Sequence, residues 1–173
     1  MYTRFENKNI SELYIVRHGW VKPEYELTDN VYSYGKLAYK WLSARRRAYV
    51  ETADNYYSFA FEGFWRRTIA ITDRNDKVIG RLVTTAFSRK STLKMENGFT
   101  AIFHRTSFWR SKYVWESEIY GPILRVDSPS FSSTDTIGIE QSTTPAEILP
   151  LLAFLGIHII IIRRQREAAA ASS

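Results

Sequence analysis

The chain has 173 residues, a formal net charge of +6, 45% hydrophobic residues and 24% charged residues. This balance excludes an intrinsically disordered chain and fits one domain that buries roughly 70% of its unfolded surface. The absence of cysteine excludes disulfides and thiolate metal sites. The positive charge is too small for a typical nucleic-acid-binding protein, so we expect no nucleic-acid partner.

Apolar and polar residues alternate from about residue 12 to residue 127, a pattern typical of strands with one buried face. In YSFAFE, for example, Tyr57, Phe59 and Phe61 share one face. The pattern predicts ten strands, with the sequences ELYIVR, YELTD, GKLAYKW, AYVETA, YSFAFE, TIAITD, VIGRLVTTAF, FTAIFH, KYVWES and PILRVD.

The predicted turns favour hairpins between consecutive strands. TDRNDKVIGRL, at 72–82, contains Asp73, Asn75 and Asp76, whose side chains cap turns and whose backbones tolerate the left-handed conformation. TDNVYSYGKL, at 28–37, repeats the same order, with Thr-Asp followed by Gly, a basic residue and Leu. We interpret this echo as a faint repeat of one hairpin unit.

A Ser- and Thr-rich segment, 128–144, predicts a long loop that holds at most one short strand. A helix is expected to follow at once, because Thr144 and Glu147 have the spacing of a capping box and Pro145 suits the first helical position. Pro150 removes a backbone hydrogen bond, so a bend is expected near 146–150.

The predicted helix covers about 145–166, and its last turn carries three arginines that suit the negative end of the helix dipole, Arg163, Arg164 and Arg166. Residues 167–173 are expected to form a disordered tail. The fifteen uncharged residues between Glu147 and Arg163 would span roughly 22 Å as a helix, against about 30 Å for a bilayer core. The helix is apolar on every side, so it requires lipid or protein all around it.

The order of the predicted strands and helix resembles that of a known superfamily. Many hairpin strands with Thr-Asp to Gly-Lys/Arg-Leu turns, followed by one C-terminal hydrophobic helix, resemble the tubby-like superfamily, which includes the phospholipid scramblases. This resemblance implies a mainly β fold, an antiparallel tubby-like β-barrel of about 10–12 strands enclosing the helix, within a single domain 1–166. The residues expected to form the core face of the helix are Leu151, Leu152, Phe154, Leu155, Ile159 and Ile162.

No arrangement of residues in the sequence predicts catalysis. His18, His104 and His158 share no metal-ligand spacing, and DRNDK lacks the Gly and Glu of a calcium loop. No nucleophile motif or phosphate-binding loop is present, so we expect a non-enzymatic protein without metal or cofactor. We interpret His158 as a core histidine bonded to backbone or water, with a proton-sensitive or ligand-contacting role as the alternative.

Basic clusters next to Trp41 and Trp65 are the candidate head-group sites, since Arg and Trp together are typical of membrane interfaces. The candidate residues are Arg45, Arg46, Arg47, Arg66, Arg67, Arg89 and Lys90. The alternative interpretation is a set of ordinary solvated turns, because consecutive arginines on a strand point to opposite faces.

These patterns lead to three functional hypotheses. The first is a cytoplasmic protein, peripheral at the membrane, that binds anionic phospholipid head groups; its lipid partner is implied by the resemblance. The second is a single-pass protein anchored by its C-terminal helix, and the third is a barrel that carries a small ligand. No secretory signal is visible at the N-terminus, so export is not expected.

Overall fold

The computed structural model describes residues 1–6, 10–40, 47–63, 67–85, 90–107, 111–130, 132–140 and 143–172. Twelve strands, a short 3₁₀ helix and one α-helix make up these residues. The strands are β1 (Glu12–His18), β2 (Glu24–Thr28), β3 (Ser33–Tyr39), β4 (Ala48–Thr52), β5 (Tyr56–Glu62), β6 (Thr68–Thr72), β7 (Val78–Thr84), β8 (Ser91–Met95), β9 (Thr100–Ser107), β10 (Lys112–Ser117), β11 (Gly121–Asp127) and β12 (Thr134–Ile139).

The strands form a closed antiparallel barrel in which each strand pairs with its neighbours in sequence. Pairing of β1 with β12, with Leu13 opposite Ile137, closes the sheet. The ten predicted strands are all present. β12 is the one short strand that the sequence allowed within the Ser- and Thr-rich segment. The structure adds β8, a five-residue strand in which only Leu93 and Met95 are strongly apolar. The predicted mainly β barrel is therefore confirmed.

The two echoed sequence segments form equivalent hairpin turns. Between β2 and β3, Asp29 Oδ1 accepts hydrogen bonds from the backbone N–H groups of Val31 and Tyr32. Between β6 and β7, Asp73 Oδ1 accepts from those of Asn75 and Lys77. In both turns an aspartate therefore satisfies backbone donors, which explains the shared Thr-Asp start.

The C-terminal helix, α1 (Leu149–Ala171), fills the barrel. Every residue from Leu149 to Ile160 is buried, so this half of α1 is covered on all sides. Its neighbours come from opposite walls: His158 contacts Phe59 of β5, and Trp115 of β10 bonds the Leu152 carbonyl. The stretch Ala146–Ala171 is long and apolar enough to cross a membrane: an 18-residue window within it has a mean hydropathy of 2.0, yet 67% of that window is buried inside the protein.

The start of the helix differs from the predicted capping box. A 3₁₀ turn, Ala146–Ile148, precedes α1, and neither helix start has a side-chain cap. The Thr144 hydroxyl is buried and has no hydrogen-bond partner among the described residues. Because Glu147 lies in the 3₁₀ turn, the residue spacing does not produce the geometry of an α-helical first turn. Pro150 occupies the first turn of α1, where its missing N–H is tolerated.

The end of the helix also differs from the prediction. The helix continues through the expected tail to Ala171, because alanine has the highest helix propensity. The last turn contains no basic residue, so the three arginines do not complement the helix dipole there. They contact the barrel wall instead.

Candidate functional site: the basic mouth of the barrel

The meander places alternate connections at opposite ends of the barrel. Antiparallel neighbours reverse direction at every connection, so the six segments that follow β1, β3, β5, β7, β9 and β11 all join strand ends at one end. We call this end the basic mouth. The five turns that follow β2, β4, β6, β8 and β10 lie at the other end, which we call the acidic mouth.

Charge is segregated between the two mouths. The six segments at the basic mouth carry ten Lys or Arg residues and no Asp or Glu, and each of them contains an aromatic residue. The five turns at the acidic mouth carry six Asp or Glu residues and two Lys or Arg residues. The connections are therefore segregated by charge in the sequence, which a net charge of +6 does not reveal. Among the described residues, the exposed cations of the six connections at the basic mouth are Lys22, Lys40, Arg67 and Lys90.

The first connection of the basic mouth, residues 19–23, lies entirely within the described residues. Trp20 is 90% exposed, and the adjacent Val21 is also exposed. The Arg17 guanidinium lies 5.4 Å from the centroid of the Trp20 ring. An exposed tryptophan beside cations has the composition of a membrane-interface anchor.

The C-terminal half of α1 leaves the barrel at this same mouth, where two arginines hold it to the wall. Arg163 Nη2 donates to Ser91 Oγ, at the start of β8, over 3.2 Å. Arg164 Nη2 donates to the hydroxyl of buried Ser128, directly after β11, over 3.0 Å. The Ser128 hydroxyl in turn donates to Asp135, whose pKa is raised by burial against the opposing effects of Ser128 and Arg164.

The structure places only part of the predicted head-group cluster. Arg67 and Lys90 are exposed at the basic mouth. Arg47 Nη1 instead lies 3.9 Å from Asp76, so this side chain extends along the outer wall toward the acidic mouth. The remaining candidates, Arg45, Arg46, Arg66 and Arg89, lie outside the described residues.

Three contributors to the basic mouth were missed in the sequence, namely Trp20, Lys22 and Lys40. The signal that identifies them is the alternation of acidic and basic connections along the chain, which is visible only after the strands are counted correctly. All six predicted core residues of α1 lie against the barrel interior: Leu151, Leu152, Phe154, Leu155 and Ile159 are buried, and Ile162 is partly buried.

His158 lies deep in the barrel, and the residue is 2% exposed. Its Nδ1 atom lies 2.9 Å from the Tyr39 hydroxyl, so the partner is a side chain and not the expected backbone or water. His18 and His104 bond Glu26 and Glu116 respectively. Among the described residues no group of His, Asp or Glu side chains has metal-binding geometry.

Burial lowers the pKa of His158 from 6.5 to about 3. The unfolded chain takes up this proton below about pH 6.5, whereas the folded protein does not until about pH 3. The contribution of neutral His158 to the free energy of unfolding is therefore fully present above about pH 6.5 and falls as the pH is lowered from there toward about pH 3. Between about pH 7 and pH 5 this loss amounts to about 2 kcal/mol.

Urea unfolding of the wild type and of His158→Gln at the two pH values measures this effect. The glutamine amide can still bond the Tyr39 hydroxyl but cannot take up a proton. We expect the stability loss on acidification to be about 2 kcal/mol smaller in the variant. Equal losses in the two proteins would show that His158 does not control the acid sensitivity.

No protein-family model, curated protein or solved structure matches this chain.

Proposed function

We propose that this protein is a non-enzymatic, cytoplasmic module of the tubby-like and scramblase-like type, which binds the head groups of anionic phospholipids through its basic mouth. The observation that carries the proposal is the charge segregation of the connections: in sequence, the six that join strand ends at one end contain ten cations and no anion, and among the described residues Lys22, Lys40, Arg67 and Lys90 of these connections are exposed. Each cation close to an anionic bilayer contributes about 1 kcal/mol of binding free energy.

The exposed aromatic residue supports the same orientation. Trp20 is almost fully exposed at the basic mouth, so packing within the protein does not explain why a tryptophan is present there. Tryptophan rings favour the head-group layer of a bilayer, because one edge is polar and the body is apolar. The cations would supply attraction and Trp20 would supply a shallow apolar anchor.

The tail-anchor alternative requires α1 to leave the barrel. Twelve consecutive residues of α1, from Leu149 to Ile160, are buried against the inner wall. Withdrawal would expose both the helix and the inner faces of the strands, so the structure favours peripheral binding over insertion of this helix.

Co-sedimentation with vesicles tests the proposal. We expect binding to phosphatidylcholine vesicles that contain phosphatidylserine, weak binding to phosphatidylcholine alone, and loss of binding at high salt. Lys22→Glu combined with Lys90→Glu should weaken binding at least about thirtyfold, since two favourable contributions of about 1 kcal/mol each are lost.

The matched control makes the same change of charge at the acidic mouth. Arg74→Glu combined with Lys77→Glu replaces two exposed cations there, and we expect vesicle binding to change little because these residues face away from the bilayer. Equal weakening by the two double variants would show that net charge, and not the basic mouth, controls binding. Equal binding to neutral and anionic vesicles would refute the proposal.

A further inference from the structure

A pocket of about 580 Å³ opens at the basic mouth, between α1 and the strands β2, β3 and β5. This volume lies within the range of about 300–1,000 Å³ that is typical of small-molecule sites. Apolar surface makes up most of its wall, and the lining residues include Tyr25, Phe61, Ile161 and Ile162. The pocket follows the helix from His158 outward to Ala169.

The floor of the pocket is polar but uncharged. His158 and Tyr39 form it and bond each other over 2.9 Å. Burial disfavours the charged form of both groups, since it lowers the pKa of His158 and raises the pKa of Tyr39. An ionic head group is therefore not expected to enter to this depth.

The rim of the pocket carries positive charge. Lys40 and Arg166 line the opening, and the Arg166 guanidinium lies 5.6 Å from the centroid of the Phe61 ring. No Asp or Glu lines this pocket among the described residues. From His158 to Arg166 the helix rises about 12 Å, so an apolar chain of several carbons fits between floor and rim.

We infer that this pocket binds a medium-chain carboxylate, a free fatty acid whose alkyl chain spans the distance of about 12 Å between floor and rim along Ile161 and Ile162, with its carboxylate at Lys40 and Arg166. Apolar walls, a neutral floor and a cationic rim together match a single-chain anionic amphiphile. The inference does not rest on the proposed membrane binding, because it concerns a ligand taken up from solution.

Alkanoates of increasing chain length test the inference, with the full-length protein and without vesicles. Calorimetry below the micelle concentration should show affinity rising about fourfold for each added CH₂ until the pocket is full, and then a plateau. Alkyl trimethylammonium ions of equal length should bind at least about tenfold more weakly, because the rim repels them. Absence of binding at every chain length, or equal affinity for the two charge types, would overturn the inference.

Filling the pocket locates the site. Ala169 is exposed and lines the pocket, so Ala169→Trp should abolish binding, whereas Ala171→Trp places the same side chain on the helix away from the pocket. Ala168→Trp serves in the same way if Ala169→Trp melts abnormally. Lys40→Ala should weaken alkanoate binding about tenfold. Unchanged binding by a folded pocket-filling variant would place the ligand elsewhere and refute the assignment.

Discussion

Removal of residues 145–173 is expected to leave an insoluble chain that does not melt cooperatively. The deleted segment supplies the whole of α1, and twelve of its residues form the centre of the core. Without it, the inner faces of the strands would surround an empty space lined by large side chains such as Phe59, Phe103 and Trp115. A closed barrel of this width cannot collapse onto itself, since its diameter is set by strand number and tilt.

Expression of the deletion variant beside the full chain, followed by sedimentation and circular dichroism, measures this effect. The matched control ends at Arg166, and every described residue that it removes is exposed, so it should remain soluble and retain its melting temperature. A soluble, cooperatively melting barrel without α1 would contradict the structure. If that barrel were also released from membranes that the full chain binds, the helix would be an anchor.

The Trp115→Ala variant is expected to lose about 3–5 kcal/mol of unfolding free energy, the usual cost of truncating a fully buried aromatic residue. Trp115 is 0% exposed, and its indole N–H donates to the Leu152 carbonyl over 2.9 Å. Gly156 permits this contact, because a Cβ atom at that position would lie 3.0 Å from Trp115 Nε1. Truncation would therefore remove both the packing and the bond between wall and helix.

Trp20→Ala is the matched control, since it removes the same side chain from the exposed surface of the basic mouth. Its unfolding free energy should change by no more than about 0.5 kcal/mol, while vesicle binding should weaken. Urea unfolding and co-sedimentation of both variants separate the two roles. Similar stability losses for the two variants would contradict the assigned burial of Trp115.

The strands were largely predictable because their alternation is local. Each run such as YSFAFE shows its buried face within a few residues, and period two is independent of what the face packs against. Strand β8 was not predicted, because five residues with only two strongly apolar side chains are too few to show a clear alternation of apolar and polar residues. The capping box failed for a related reason: residues with the correct spacing were present, but tertiary packing placed a 3₁₀ turn there.

The candidate site was predictable only in part. Local sequence identified basic clusters beside tryptophans, but it could not decide which of them share a surface. It placed Arg47 among the head-group residues, whereas the side chain pairs with Asp76 on the outer wall. It also missed Lys22 and Lys40, because single lysines in turns are common and carry no signal alone.

Sequence alone determined the strand periodicity, the hairpin turns and a helix that must be surrounded by apolar groups, because each depends on neighbouring residues. Tertiary structure decided where that helix lies, because lipid and a barrel interior satisfy the same hydrophobic requirement. It also decided that the basic connections join strand ends at the same end of the barrel. Twelve antiparallel strands send every second connection to the same end of the barrel, so connections far apart in the chain meet at a single mouth.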